Sequence, residues 1–322
     1  MSLLTQKSAI RRTRSGADFG KVAVLLGGDS TEREISLLSG NAVLAALIRR
    51  GVNAHAFDPL DRPVQNLVSE QFDRAWIALH GPGGEDGTMQ GALEWLGVPY
   101  TGSGVLASAL TMDKLKTKRV VVGAGYAAPD YAVLTSPGDL QAALERVGLP
   151  LMVKPASQGS SVGITKVNDA ADLPRAYAEA RAVDPIVFAE AFITGEEYTV
   201  GVLHERGLPS IRIQPATEFY DYQAKYFRND TQYHCPSGLA PEAEAELQAA
   251  ALAAFQVTDC AGWGRVDFMR DRATDKFYFI EINTTPGMTD HSLVPMAARQ
   301  SGIDFEELVW RVLETSFLRE RK

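Results

Sequence analysis

A buried strand, a glycine turn and a helix follow one another near the start of the chain, and this order constrains the fold more than any other feature. The run KVAVLL from Lys21 is almost wholly apolar, GGDS supplies a turn, and apolar residues recur at helical spacing from Ile35 to Ala45 before Gly51 ends the helix. Further strand candidates are AWIAL and the segment near VPYTG. We therefore expect an open parallel α/β domain over residues 21–111.

The remainder of the chain predicts α+β organisation. Residues 112–195 contain the short strand candidates LMVKP, GITKV and IVFAE among helices, and residues 196–322 contain EYTVGVL, PSIRIQ, GRVDFM and KFYFIEIN, which alternate like antiparallel strands. The Ala-rich stretch 241–255 predicts a helix. The polar and aromatic segment 217–235 has no strong period. A loop of this length is usually functional or disordered, and its tyrosines favour an ordered lid.

Composition excludes several classes of partner. Acidic residues outnumber basic ones, 40 against 32, which gives a net charge of −8 and no footprint for nucleic acid or an anionic membrane. No apolar run reaches the length of a membrane span, and Cys235 and Cys260 lack the spacing of a metal site, so a reducing, cytoplasmic location is expected. Residues 1–20 read as a disordered or frayed tail, although their arginines leave a nucleic-acid arm as an alternative.

A hairpin centred near Thr274 would bring polar side chains together. In that register Asp267 faces Glu281 and Arg265 faces Asn283, and all four share one sheet face. Two opposed carboxylates repel unless a cation lies between them, and oxygen ligands suit magnesium. A solvated face with alternating charges is the alternative, and spacing alone does not decide between them.

Two further motifs suggest anion binding. In VKPASQGSSVG, a small-residue loop with Ser160 and Ser161 could wrap phosphate oxygens beside Lys154, although such a loop is more often a turn. In NTTPGMTDHS, the N–H of Gly287 could support an oxyanion and Ser292 offers a hydroxyl, although a strand-to-helix connection explains the same residues.

Two glycine-rich segments follow strands in the first domain. HGPGGEDG places His80 at a strand's carboxyl end, where open α/β sheets bind ligands, while its acids also suit a helix start. In GGDSTEREIS, Thr31 and Glu34 are predicted to form a capping box. Glu32 could hold an ammonium group, or simply stabilise the first helical turn.

Together these motifs resemble those of the D-alanine–D-alanine ligases, a branch of the ATP-grasp enzymes, along nearly the whole chain from Lys21. The match rests on six segments in the family's order: HGPGGEDGTMQG, MDKLKTK, VKPASQGSSVG, YDYQAKY, GWGRVDF and EINTTPGMTDHS. The resemblance implies an ATP-grasp domain with a central subdomain over residues 112–195 and a C-terminal subdomain over residues 196–322. It also implies phosphorylation of one D-alanine by ATP, attack of a second D-alanine on the acyl phosphate, and a role in peptidoglycan synthesis.

The resemblance assigns roles to residues. The nucleotide would be bound by Lys114, Lys154, Ser161, Glu190, Ala191, Phe192, Ile193 and Glu197, and two magnesium ions, or manganese, by Asp267, Glu281 and Asn283. Glu32 would hold the first substrate's ammonium with His80 nearby, Arg265 and Gly287 would stabilise the oxyanion, and Ser292 would hold the second substrate's carboxylate. Ser160 and Tyr226 would connect Glu32 to the lid, with Lys225 beside them.

The lid also bears on the product. Relatives of this family that make D-alanyl-D-lactate lack the Lys-Tyr pair, so its presence favours a dipeptide, and the resemblance further implies a homodimer. Another ATP-grasp carboxylate–amine ligase remains an alternative, as does a nucleotide-binding regulator without catalysis.

Overall fold

The structure is a computed structural model that describes residues 10–159, 162–215 and 231–320. Within these ranges the first sheet is parallel and has the strand order β2-β1-β3, with β1 Lys21–Leu25, β2 Asn53–Phe57 and β3 Arg74–Ile77. A parallel bridge from Ala75 to Tyr100 extends it. The helices of this region are α1 Arg33–Arg49, α2 Asn66–Ser69 and α3 Thr88–Leu96. The run KVAVL is buried almost throughout because the sheet is covered on both faces.

The second sheet is antiparallel, with the order β4-β7-β5-β6. It follows two helices, α4 Val105–Met112 and α5 Lys114–Gly123. Its strands and helices are β4 Tyr131–Leu134, α6 Leu140–Val147, β5 Leu151–Pro155, β6 Thr165–Val167, α7 Leu173–Val183 and β7 Val187–Ala191.

The third sheet is also antiparallel, in the order β11-β10-β8-β12-β13, with β9 on β8. Its strands are β8 Gly195–Leu203, β9 Arg206–Gly207, β10 Ile211–Gln214, β11 Gln232–His234, β12 Trp263–Asp271 and β13 Phe277–Asn283. The helices are α8 Pro241–Val257, α9 Leu293–Gln300 and α10 Phe305–Glu314. The predicted fold class, a parallel α/β region followed by α+β regions, is confirmed. None of the helices described here is long and apolar enough to cross a membrane.

One hydrophobic core joins the first sheet to the last helix. Val22 and Val24 of β1 share this core with Val309 and Leu313 of α10. Salt bridges between α1 and α10 lie at the edge of the same contact: Arg49–Glu306 at 2.7 Å and Arg50–Glu307 at 2.6 Å. Because the core crosses the expected subdomain boundaries, the division at residues 111 and 195 stays a prediction.

The N-terminal segment differs from the expected frayed tail. Gly16–Phe19 forms a 3-10 helix, and the fully buried ring of Phe19 meets Trp310 edge-on at 4.9 Å and stacks on Phe317 at 5.4 Å. Arg12 also forms a 2.8 Å salt bridge with Glu314. The expectation is therefore wrong for residues 10–20, since aromatic packing and an ion pair hold them, while residues 1–9 lie outside the described ranges.

The predicted lid, residues 217–235, is described only at its end. Gln232–His234 forms strand β11, which pairs with β10 so that His234 faces Arg212. These residues belong to the sheet and not to a loop, because their backbone groups extend its ladder. Residues 216–230 lie outside the described ranges.

Candidate active site

A cleft of ≈ 1360 Å³ opens where the three sheets meet. Every predicted site residue that the structure describes lines it: Glu32, His80, Lys114, Lys154, Glu190, Ala191, Phe192, Ile193, Glu197, Arg265, Asp267, Glu281, Asn283, Gly287 and Ser292. The predicted residues Ser160, Ser161, Lys225 and Tyr226 lie outside the described ranges. Residues that are distant in sequence are thus brought together at one candidate site.

The β12–β13 hairpin has the predicted register. Arg265 pairs with Asn283 and Asp267 with Glu281, followed by an irregularity between Asp267 and Phe268. The Arg265 guanidinium donates from Nε at 2.9 Å and from Nη2 at 2.8 Å to the carboxylate of Asp267. The hydroxyl of Thr199 donates to the same carboxylate at 2.5 Å. Asp267 is therefore fixed on the cleft wall as a bonded carboxylate.

Glu281 lies beside a lysine from a different part of the chain. Lys114 begins α5, and its ammonium lies 3.4 Å from Glu281 Oε2 and donates to the Gln158 carbonyl at 2.7 Å. The protein's own cations, Arg265 and Lys114, thus offset the repulsion expected between the two opposed carboxylates. The Asn283 side-chain oxygen accepts a 3.2 Å hydrogen bond from the backbone of Thr285.

The same strands supply oxygen donors suited to a hard cation. Two carboxylates and one amide, from Asp267, Glu281 and Asn283, face the cleft, and carboxylate and amide oxygens are the ligands that magnesium accepts. Across the described part of the chain, no three His, Cys, Asp or Glu side chains are grouped closely enough to hold a metal. Magnesium is usually bound by one or two carboxylates together with water and phosphate oxygens, and the donors on β12 and β13 fit such a site.

The central sheet contributes a second group of charges. Glu190, on β7, is almost fully buried and accepts from Lys154 of β5 and from Lys118 of α5. Burial alone would raise the pKa of Glu190, but the two ammonium groups outweigh it and lower the pKa to about 2. Lys118 was not predicted as a site residue, because its only signal in the sequence is its position one helical turn after Lys114.

The end of β7 and the residues that follow it form the wall next to these charges. Ala191, the last residue of β7, and Phe192 and Ile193 after it line the cleft. The ammonium of Lys166 lies 3.8 Å from the centre of the Phe192 ring, a cation–π contact that holds this ring in place. This end of the cleft therefore combines a flat apolar wall with several lysines, as a nucleotide base and its phosphates would require.

The opposite end of the cleft is built on the first domain. Gly27 and Gly28 after β1 have φ values of 80° and 74°, a conformation that favours glycine, and Gly28 N–H donates to Asp58 Oδ1 at 3.0 Å. This turn brings Glu32 to the start of α1.

The helix start differs from the predicted capping box. Glu32, and not Thr31, is the capping position, and its side chain forms no capping hydrogen bond. Instead the hydroxyl of Ser30 accepts from the Glu32 N–H at 3.2 Å. The Thr31–Glu34 prediction is wrong because a shorter serine turn satisfies this end of the helix.

The Glu32 carboxylate is enclosed by two glycines. A side chain on Gly81 would begin 2.7 Å from Glu32 Oε2, and one on Gly159 would begin 3.0 Å from it. Gly81 follows β3 in the first domain and Gly159 follows β5 in the central sheet. Glu32 therefore lies where two units of the protein, the first domain and the central sheet, approach each other.

His80 is buried behind this carboxylate. Its Nε2 lies 3.3 Å from Ser39 Oγ, and that hydroxyl accepts the Met288 N–H at 3.0 Å. Burial lowers the pKa of His80, and the nearby Glu32 carboxylate only partly opposes this effect. The ring is therefore neutral near pH 7. His80 thus connects the first domain to the turn after β13.

Glu85 is a further functional candidate, although its sequence position predicted only a residue that favours the start of a helix. Its carboxylate lines the cleft and accepts the Gly81 N–H at 2.8 Å. Desolvation, reinforced by the neighbouring Glu32 carboxylate, raises its pKa to about 8. The sequence signal for a functional role was an acidic residue in a glycine-rich loop after a strand. The residue preferences of turns explain an acid at this position equally well.

The turn after β13 closes this end. The Ser292 hydroxyl accepts from the Thr289 N–H at 2.9 Å, and a side chain on Gly287 would begin 3.0 Å from the same hydroxyl. Both residues line the cleft. The absence of a side chain at Gly287 therefore leaves room for a ligand group beside Ser292.

Comparison with known proteins agrees with this geometry. Residues 52–103 match the family model described as D-ala D-ala ligase N-terminus, and residues 120–314 match D-ala D-ala ligase C-terminus. The D-alanine–D-alanine ligase of Laribacter hongkongensis is 56% identical over 298 residues, which cover 92% of this chain and 96% of that relative.

Two solved structures are similar over nearly the whole chain. The D-alanine–D-alanine ligase from Bacillus anthracis complexed with ATP has a TM-score of 0.81 and 34% identity, covering 92% of this chain and 97% of that one. The VanG D-Ala:D-Ser ligase from Enterococcus faecalis has a TM-score of 0.78 and 29% identity, covering 92% and 99%. From the matched models, the curated relative and the shared fold, it follows that this chain belongs to the D-alanine–D-alanine ligase family.

Proposed function

We propose that this protein joins two D-alanine molecules to D-alanyl-D-alanine with ATP, for the synthesis of peptidoglycan precursors. The carboxylate of one D-alanine attacks the γ-phosphorus and releases ADP. The amine of the second attacks the acyl carbon, loses a proton and expels phosphate. The observation that carries this proposal is the single cleft with a lysine-rich end and an end that bears Glu32, His80 and Ser292.

The lysine-rich end suits ATP. Lys114 and Lys154 are positioned to contact phosphate oxygens, while the Glu190–Ile193 wall takes the adenine and Glu197 the ribose. Ser161, outside the described ranges, adds a hydroxyl of the phosphate loop. Fixed ammonium groups in a cleft stabilise the charge that develops as the phosphoryl group moves.

Magnesium, or manganese, fits the proposed reaction through Asp267, Glu281 and Asn283, with two ions expected. When bound, the ions would neutralise phosphate charge. The protein's own contribution is to hold these oxygens on two paired strands, with Asp267 fixed by Arg265 and Thr199.

The other end suits two amino acids. Glu32 pairs with the ammonium of the first D-alanine beside the neutral ring of His80, and Ser292 donates to the carboxylate of the second. Arg265 and the Gly287 N–H stabilise the oxyanion of the tetrahedral intermediate. Water must be excluded here, because a solvated acyl phosphate would hydrolyse.

The lid completes the proposal. Ser160, Lys225 and Tyr226 lie outside the described ranges. As the family resemblance implies, Ser160 and Tyr226 would connect Glu32 to the lid with Lys225 beside them, and the Lys-Tyr pair would favour an amine over a hydroxy acid as the second substrate. A homodimer, a cytoplasmic location and the subdomain boundaries at residues 111 and 195 are part of the same proposal.

Mass spectrometry of the product formed from D-alanine, ATP and magnesium tests the function directly. We expect the mass of the dipeptide together with release of phosphate. A panel with D-serine, D-lactate and L-amino acids in place of one D-alanine tests specificity, since the fold is shared with a D-Ala:D-Ser ligase. Strong turnover with an L-amino acid and none with D-alanine would contradict the proposal.

A further inference from the structure

Glu190 carries one lysine on each of its carboxylate oxygens. Lys118 lies 2.9 Å from Oε2, and Lys154 pairs with Oε1. The three side chains are 1%, 11% and 4% exposed for Lys118, Lys154 and Glu190 respectively. Two ammonium groups therefore serve one buried carboxylate.

The two lysines differ in their access to the cleft. Lys154 lines it, whereas Lys118 lies behind the wall, where its ammonium also donates to the Pro129 carbonyl at 3.4 Å. Only Lys154 can turn toward a ligand. If it did so without Lys118, Glu190 would be left as a buried charge with no compensating cation, which is strongly unfavourable.

We propose that Lys118 is a positioning residue of the nucleotide site: it holds Glu190 as an oriented carboxylate, so that Lys154 can leave Glu190 and donate to a phosphate of ATP. This inference rests on the proposed use of ATP but goes beyond it, because Lys118 contacts neither substrate. It assigns the two ammonium groups different tasks, one permanent and one exchangeable.

The substitution Lys118→Met tests this inference. It removes the permanent cation and keeps the apolar stem, so Lys154 becomes the sole partner of Glu190. We expect KM for ATP to rise by about tenfold or more, equivalent to about 1.4 kcal/mol of lost binding. KM for D-alanine should stay near its wild-type value.

Two matched variants separate this role from a merely structural one. Lys118→Arg keeps the charge and should restore most of the ATP affinity. Lys116→Met removes a lysine from the same helix whose side chain is 61% exposed, and should leave KM for ATP unchanged. Circular dichroism melts identify any variant that has lost its fold, in which case the Arg variant carries the comparison.

The double variant Lys118→Met with Glu190→Gln gives the decisive comparison. Without the carboxylate nothing retains Lys154, so the double variant should bind ATP about as well as Glu190→Gln alone. Additive losses, or an equal rise in KM for both substrates, would overturn the inference.

Direct titration with ATP in the absence of D-alanine keeps this test apart from the proposed reaction. ATP binding without dipeptide formation would contradict the proposed function and leave the role of Lys118 testable. A wild-type protein that does not bind ATP would overturn both.

Discussion

Glu190 and Glu85 lie in the walls of one cleft, yet their carboxyl groups have opposite pKa shifts. The pKa of Glu190 falls to about 2, whereas that of Glu85 rises to about 8. Desolvation by burial raises the pKa of both carboxyl groups. The difference is that Glu190 touches two ammonium groups, while Glu85 has a backbone N–H and the neighbouring carboxylate of Glu32.

The contrast shows how the cleft is divided electrostatically. At the nucleotide end, lysines outnumber the buried carboxylate and can accept a polyanion. At the amino-acid end, crowded carboxyl groups favour a bound cation, such as a substrate ammonium, because it would relieve their repulsion. Identical side chains thus serve opposite ligands because of their neighbours.

The largest effect is expected where the two ends meet, at Glu281. Glu281→Gln keeps the size of the side chain but removes the charge beside Lys114, and should lower kcat by about 10³-fold, the upper range for loss of one charge-stabilising group. Steady-state assays with magnesium and D-alanine measure this loss. The surface variant Glu246→Gln should retain activity, and a near-wild-type rate for Glu281→Gln would refute its role.

Glu190→Gln should remove the ion pairs at the nucleotide end of the cleft. It leaves Lys118 buried beside a neutral amide and should destabilise the fold by about 3 kcal/mol near pH 7. The pKa of Glu190 is lowered on folding, so its contribution is present above the unfolded value and is lost as pH falls toward about 2. The melting temperatures of the wild type and Glu190→Gln should therefore converge at acid pH. A difference that does not change with pH would argue against the ion pairs.

Glu85→Gln should stabilise the fold at high pH, whereas Glu190→Gln destabilises it. The pKa of Glu85 is raised on folding, so its contribution is full below the unfolded value and is lost as pH rises through about 8. The variant should be as stable as the wild type near pH 5, where Glu85 is protonated. Above pH 8, where Glu85 is ionised, it should be more stable by about 1–2 kcal/mol, a value reduced because the cleft is open to water. Melts across this range test it, and a difference that does not change with pH would contradict it.

Gly159→Ala should give the smallest effect, at the contact between the two units. The new methyl group would lie 3.0 Å from the Glu32 carboxylate and displace it slightly. We expect KM for D-alanine to rise by about threefold, a loss below 1 kcal/mol. Gly123→Ala serves as the control, because its new methyl group would have no other described residue within 4 Å beyond its own helix and chain neighbours. An equal KM for D-alanine in both variants would show that this contact does not affect substrate binding.

Patterns within short segments predicted much of the fold. Two alternating segments around a turn centred near Thr274 predicted the hairpin in which Asp267 faces Glu281, and the structure has this register. The apolar run from Lys21 likewise predicted a strand of a parallel sheet. In both cases the relevant neighbours lie close in sequence or repeat with a fixed period.

Features that depend on tertiary packing were not predicted. Phe19 gave no periodic signal, and its burial results from contacts with Trp310 and Phe317. Lys118 looked like one of several charges on a helix, since its partner Glu190 belongs to a distant strand. Glu85 could be explained by local turn chemistry, so only the crowding by Glu32 distinguishes it.

The packing of Phe19 also bears on how the chain is made. Its segment leaves the ribosome long before the rings of Trp310 and Phe317, whereas most N-terminal domains fold while synthesis continues. One face of β1 therefore stays uncovered until α10 has been synthesised. A message that is truncated before the codons of α10 would yield a protein whose first strands stay open to aggregation.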